Sequence, residues 1–232
     1  LSKIPDPEII IMGNPAPDEW FQNGKLIKPG NRSSQSRGKK ITFFAFGEFS
    51  YIYDSIYLKE KNEIWRSLLT EIHDALADYL SSHPDDELFY KRGPKGNRDY
   101  WSGSEELLEL TNARLIPSLA NSNLLIVDSD FILAFQTTTI IDAMHTNKII
   151  IYCAWGKNYD ELKSGLIDFE KYAEMDAILH AHSAKELKKL LELDPKEVRV
   201  NMDARKNIRE LYTTNPDGKV SKRFVDWLEP IL

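Results

Sequence analysis

Cysteine is nearly absent from this 232-residue chain, and Cys153 is the one thiol it has. One thiol cannot close an internal disulfide, and inside an apolar strand-like run its default role is a core side chain, so a reducing compartment is expected. Long apolar runs are missing as well. Nothing approaches the roughly 20 consecutive residues that cross a bilayer, and the opening LSKIPDPE has no signal-peptide pattern. The expectation is a cytoplasmic protein with no inserted segment. Also missing are a G-x-S-x-G elbow, a complete phosphate loop, a G-x-G-x-x-G turn and any internal repeat, which removes the commonest nucleophile and nucleotide signatures. The chain starts on Leu1 rather than Met, which creates the expectation of a piece cut from a longer protein.

What is present is an ordinary globular composition, 42% hydrophobic and 28% charged, enough for one large or two small domains. Net charge is −6, unevenly spread. Residues 21–40 hold six basic side chains (Lys25, Lys28, Arg32, Arg37, Lys39, Lys40) and no acidic one. With Gly, Ser and Asn and no periodicity, this stretch reads as a solvated loop. A sharper reading gives it an attraction to phosphates or anionic lipid head groups, hence a peripheral place at the inner face of the membrane. Nucleic acid is not an expected partner, since the remainder is acidic and carries no basic stripe with interleaved aromatics.

The stretch from Ala113 to Gly156 organises the rest. Leu124–Val127 is its most apolar run and reads as a buried strand; Thr137, Thr138 and Thr139 follow; Ile140, Ile141 and Met144 recur at helical spacing; Ile149–Cys153 reads as a second strand. Elsewhere, Ile41–Phe46 is β-rich and ends on Gly47, and Lys59–Ser82 carries a helical face of Ile64, Leu68, Leu69, Ile72, Leu76, Tyr79 and Leu80. Glu87–Lys91 reads as a strand, Tyr100–Glu109 as containing a short helix, Ala113–Ile116 as a weak strand, and Ala177–His180 as a strand. A turn is expected at Gly156–Asp160, a capping box at Ser183–Glu186, a helix starting at Asp194-Pro195, and a terminal helix with Val220, Phe224, Trp227 and Leu228 on one face. Strands alternating with helices predict an α/β fold: a three-layer Rossmann-like parallel sheet with helices on both faces. Residues 1–40 are expected to be an inter-domain linker with the basic loop, and 41–232 the Rossmann-like domain.

Three threonines at a helix start bring hydroxyls and unpaired N–H groups together where the helix dipole favours an anion, so Thr137–Thr139 could hold a phosphate or simply cap the helix. Lys91 and Arg92, at a neighbouring strand end, could add positive charge, and Asp142 could accept from a ribose hydroxyl. Asp128 and Asp130, read as following a strand, form a D-x-D pair that could hold a divalent metal or merely shape a turn. His180 and His182 would share a strand face, with no third ligand at metal-site spacing.

Four pieces together resemble the C-terminal, donor-binding half of a GT-B glycosyltransferase, in particular those of bacterial capsule and surface-polysaccharide synthesis. Ile9–Asp18 (IIIMGNPAPD) is similar to the crossing segment between the two domains, and Ile41–Gly47 to the first strand of the second. Phe89–Pro94 (FYKRGP) resembles a K-x-H-P element, with Gly93 where the histidine belongs. Leu119–Tyr152 resembles the sequence of buried strand, Ser/Thr cluster, helix acid and G-K-P-[IV] strand start, with Asp142 for the usual Glu and Asn147 before Lys148 for the usual Gly. The resemblance implies that Thr137–Thr139 hold the donor diphosphate and that Asp142 meets the ribose or sugar. Gly47, Lys91, Arg92 and Gln136 complete the expected donor-binding set. It also implies a nucleotide sugar as substrate, no cofactor and no metal for that step, and an acceptor and general base supplied by a missing N-terminal domain. The rivals are a metal-dependent D-x-D transferase, a sugar-nucleotide epimerase sharing the two-domain fold, and a non-catalytic binding module.

Overall fold

The computed structural model describes residues 18, 20–22, 25–26, 38–46, 64–92, 104–213 and 217–229. The apolar run 8–12, most of the basic stretch, Gly47, Gly93 and the residues just after it lie outside the described residues. Six strands form one sheet: β1 (Lys40–Phe44), β2 (Glu87–Lys91), β3 (Ala113–Ile116), β4 (Phe131–Ala134), β5 (Ile149–Cys153) and β6 (Leu179–Ala181). All neighbours are parallel, in the spatial order β3-β2-β1-β4-β5-β6. A separate two-stranded ribbon pairs Phe21–Gln22 with Lys25–Leu26. β4 and β5 are unbroken apolar runs, buried at every position, because parallel strands are covered on both faces and have no solvent side to alternate toward.

Helices α1 (Arg66–Ser82), α2 (Glu105–Leu108), α3 (Ser122–Asp128), α4 (Thr139–Ala143), α5 (Lys157–Leu162), α6 (Glu170–Glu174), α7 (Ala184–Leu191), α8 (Met202–Thr213) and α9 (Val220–Leu228) supply that cover. Two adjacent residues of β1 show that it is two-sided. The Phe43 ring meets His73 of α1 edge-on at 6.2 Å, whereas the Thr42 hydroxyl lies 2.6 Å from that of Ser129, just past α3. Successive strand residues point to opposite faces, so α1 and α3 lie on opposite layers. α7 packs on α1, and α4 on both α3 and α8, which completes the expected three-layer sandwich. The strand order reverses between β1 and β4, and in open α/β sheets the crevice at the carboxyl end of such a reversal is where ligands bind.

Several local expectations are corrected. Leu124–Val127 is not a strand but the body of α3, because Asn121 caps it, its Oδ1 accepting from the N–H groups of Asn123 (2.8 Å) and Leu124 (3.2 Å). Only Ile126 and Val127 of the run are buried, and the strand comes after it, at Phe131. A four-residue apolar run suits a helix face or a buried strand equally, and the cap decides. Gly156–Asp160 enters α5 rather than a plain turn. Asp194 accepts from Lys196 N–H at 2.9 Å and from Glu197 N–H at its carbonyl, closing a turn, and the next helix waits until Met202. The last strand is Leu179–Ala181, shifted from 177–180.

The end of the basic stretch is also structural. Lys39 Nζ donates to Leu191 O at 2.6 Å and to the Tyr79 hydroxyl at 3.2 Å, and Lys40 Nζ lies 2.7 Å from the Asp128 carboxylate. Further toward the N-terminus, Asp18 accepts from the N–H groups of Val220 (3.1 Å) and Ser221 (2.6 Å), capping α9. Trp20 is buried and stacks on His145, with ring centroids 5.5 Å apart. The His145 Nδ1 sits 3.1 Å from Arg209, and Arg205 ties α8 to the segments that lead into β6 and β5 by donating to the carbonyls of Ala177 (2.7 Å) and Thr146 (2.6 Å).

A Cβ on Gly38 would lie 1.7 Å from the Asp85 carbonyl oxygen. Gly38→Ala is therefore expected to lower stability by about 2 kcal/mol or more, since backbone must move to admit it, as read by urea unfolding. Burial, with the Arg209 charge, holds the His145 imidazole down to about 4. The unfolded chain takes up that proton nearer 6.5. Stability carried by neutral His145 is therefore present above that value and lost as pH falls toward about 4, by about 3 kcal/mol in all. His145→Gln should flatten this part of the acid dependence; an unchanged pH profile would contradict it.

Candidate functional site

The register aligns the carboxyl ends of the strands. Phe44 stands level with Lys91 of β2 on one side and Ala134 of β4 on the other, and Ala134 is level with Tyr152 of β5. The chain leaving β4 thus opens at the reversal point. There Phe135 is buried and Gln136 takes a left-handed backbone, φ +43°, an uncommon conformation for a side-chain-bearing residue. Its side chain holds it there. Gln136 Nε2 donates to the Tyr152 hydroxyl at 2.7 Å and to Ile167 O at 2.9 Å, while Oε1 accepts from Ile167 N–H at 2.9 Å.

The turn delivers the threonines to the start of α4. Thr137 Oγ1 accepts from Thr139 N–H at 3.2 Å and donates to Thr139 Oγ1 at 3.1 Å, so one hydroxyl performs the capping. Thr138 is exposed and makes no capping bond. Asp142 N–H donates to Thr138 O at 3.1 Å, which puts the acid one turn on and partly exposed. Thr137, Thr138, Thr139, Gln136 and Asp142 are therefore brought together as a unit.

Lys91 and Arg92 share this edge but lie two strands from β4, about 10 Å away at ordinary strand spacing. Their side chains are engaged. Lys91 Nζ is buried and donates to Ser118 O at 2.6 Å, and burial lowers its pKa. Arg92 donates to Ser104 Oγ at 2.9 Å and lies 6.0 Å from the Tyr90 ring. Gly47 lies outside the described residues. Asp128 and Asp130 precede β4 instead of following a strand, which sets them at the amino edge. There Asp130 accepts from Lys40 N–H at 3.0 Å, and Asp128 pairs with the Lys40 ammonium.

Beneath the threonine turn lies an aromatic floor that the sequence reading did not anticipate. Phe135 meets Phe46 at 4.7 Å, Trp65 at 4.8 Å and Tyr152 at 6.1 Å, and Tyr152 meets Phe169 at 5.3 Å. The signal for it was an aromatic residue within two positions of a strand end, at Phe46 and at Phe135. Burial raises the Tyr152 hydroxyl far above its usual value, and burial pushes Tyr159 up to about 12, so both act as neutral hydrogen-bonding groups. The His180 and His182 rings lie 3.8 Å apart, tilted by 48°, and His180 Nε2 donates to Ala154 O at 2.8 Å, as suits a polar strand end. Burial lowers the His180 pKa.

No protein-family description matches the chain. No curated protein matches it by sequence. Solved structures share its fold. The wall teichoic acid polymerase TagF with CDPG is 16% identical with a TM-score of 0.57, over 95% of this chain and 51% of that one. The S. aureus MnaA–UDP co-structure is 15% identical, TM-score 0.51, over 93% and 52%. A UDP-N-acetylglucosamine 2-epimerase is 16% identical, TM-score 0.50, over 94% and 50%. The chain spans about half the length of each. At these identities the likeness is one of fold, and the fold is that of one half of a GT-B-type enzyme.

Gln136→Ala removes three hydrogen bonds and leaves the Ile167 backbone groups to find others. The expected loss is about 1–2 kcal/mol, with faster amide exchange at Ile167; exchange as slow as in the parent would rule out the clamp.

Proposed function

We propose that this chain is the nucleotide-sugar-binding half of a glycosyltransferase acting in surface polysaccharide or glycan synthesis, and that by itself it does not transfer sugar. The observation that supports this most is the threonine turn at the carboxyl end of β4, where the strand order reverses. An anion there meets the start of α4 and the exposed Thr138 hydroxyl, and the Asp142 carboxylate lies one turn further on. A diphosphate would lie against Thr138 and Thr139, with Asp142 reaching a ribose or sugar hydroxyl. Stabilisation of the departing diphosphate by fixed dipoles is what such a site contributes to transfer. The acceptor and its base would come from a partner domain across the cleft. Residues 1–40 serve as the linker in this reading, anchored by Asp18 and Trp20. Any attraction of the basic stretch to a membrane surface falls to Lys25, Lys28, Arg32 and Arg37, because Lys39 and Lys40 are engaged within the fold.

One observation favours the rival binding module. Lys91 and Gln136, expected to face the donor, spend their side chains on Ser118, Tyr152 and Ile167. Calorimetry with UDP- and CDP-linked sugars separates the readings. Binding is expected, and Thr138→Val with Thr139→Val should weaken it by about tenfold, or about 1.4 kcal/mol, the worth of one or two hydroxyl hydrogen bonds. Robust sugar transfer by the chain alone, or affinity indifferent to both threonines, would defeat the proposal.

A further inference from the structure

Gln136 opens the threonine turn, yet its side chain is spent on a different segment of the chain. Nε2 donates to Ile167 O and Oε1 accepts from Ile167 N–H, each at 2.9 Å. A two-point match to both main-chain groups of one residue fixes the amide and tells its oxygen from its nitrogen, because the reverse orientation would set carbonyl against carbonyl. The Tyr152 hydroxyl holds the same Nε2 from below at 2.7 Å. The anchor is itself held: Ile167 O also accepts from Phe169 N–H at 2.9 Å, and Phe169, the N-cap of α6, is fully buried with its ring 5.3 Å from that of Tyr152.

The turn needs this support. Residues 136–139 bridge the buried Phe135 and the buried Ile140. Among the described contacts of that bridge, the threonine bonds are all local, and the long-range ties are those of the Gln136 side chain. Gln136 stands at φ +43°, a region that a residue with a Cβ leaves when nothing holds it there. A change of backbone at 136 swings the residues that follow, and Thr138 is the exposed one among them.

We propose that Gln136 is the positioning residue of the donor site: it does not touch the donor, and through Ile167 it keeps the turn in the form that presents Thr138. This role rests on the donor reading above and adds a link to it, by which occupancy at the threonines and order at Ile167 rise and fall together.

The test uses the intact 232-residue chain with UDP and CDP as probes, read by calorimetry and by amide exchange at Ile167. The parent is expected to bind one of them and to exchange the Ile167 amide more slowly in the complex. Gln136→Gly permits the left-handed backbone but lacks the amide. It is expected to raise the Kd about fivefold, as for a turn in its competent form about a fifth of the time, and to abolish the effect of ligand on Ile167. Tyr152→Phe, which spares both bonds to Ile167, should bind as the parent does. Equal affinity in the parent and in Gln136→Gly overturns the positioning role and leaves the donor reading standing. Faster exchange at Ile167 in the parent complex also overturns it, since the amide has then left Ile167 for the ligand; this sign is read on the parent and does not depend on how well a variant folds. Failure of the parent to bind either probe defeats the donor reading, and the positioning role with it.

Discussion

Everything at the carboxyl edge depends on how β1 enters the sheet at the other end. Two carboxylates receive it: Asp86 accepts from Lys39 N–H at 2.7 Å, and Asp130 from Lys40 N–H at 3.0 Å. One comes from the turn before β2, the other from the residue before β4, so the strand is gripped from both neighbours at the amide just before it and at its first. A slip of one residue would turn Phe43 away from α1 and Thr42 away from Ser129, exchanging the faces of the sheet. It would also carry Phe44 out of line with Lys91 and Ala134, and the reversal point would lose its level rim. The Asp128–Asp130 pair is thus explained by register and by charge balance with Lys40.

The candidate site is a polar turn resting on aromatic rings. Gln136 joins the two, because one amide bonds the Tyr152 hydroxyl of the floor and both main-chain groups of Ile167. That arrangement holds a left-handed residue in place and leaves Thr138, one position beyond Thr137, facing solvent. Rigidity on one side and exposed hydroxyl on the other is how a loop presents a binding group without having to order it at the moment of binding.

Much of the sheet was legible before any coordinates. The runs at 41–44, 87–91 and 149–153 are strands because they are apolar, short and bounded, and the threonines do begin a helix. The departure at Leu124–Val127 has a local cause: hydrophobicity without periodicity does not tell helix from strand, and Asn121, a strong cap, decides for helix. Side-chain commitments were out of reach. Nothing in the order of residues says that Lys91 turns to Ser118, that Gln136 turns to Ile167, or that Lys39 crosses to the end of α7, since each partner is 27 to 152 residues away. The aromatic floor is of the same kind, assembled from separate strand ends.

The Asp18 carboxylate gives the chain an unexpected mechanical property. It grips the first turn of α9, while two residues later Trp20 is wedged against His145 beneath α8. Residues some two hundred positions apart in the chain are therefore fastened together. A tug on the segment before Asp18 would load α9 and the Arg205–Arg209 side of α8 before it reached any strand. Strain arriving from that direction would fall on the two terminal helices and, through His145, on the end of α4.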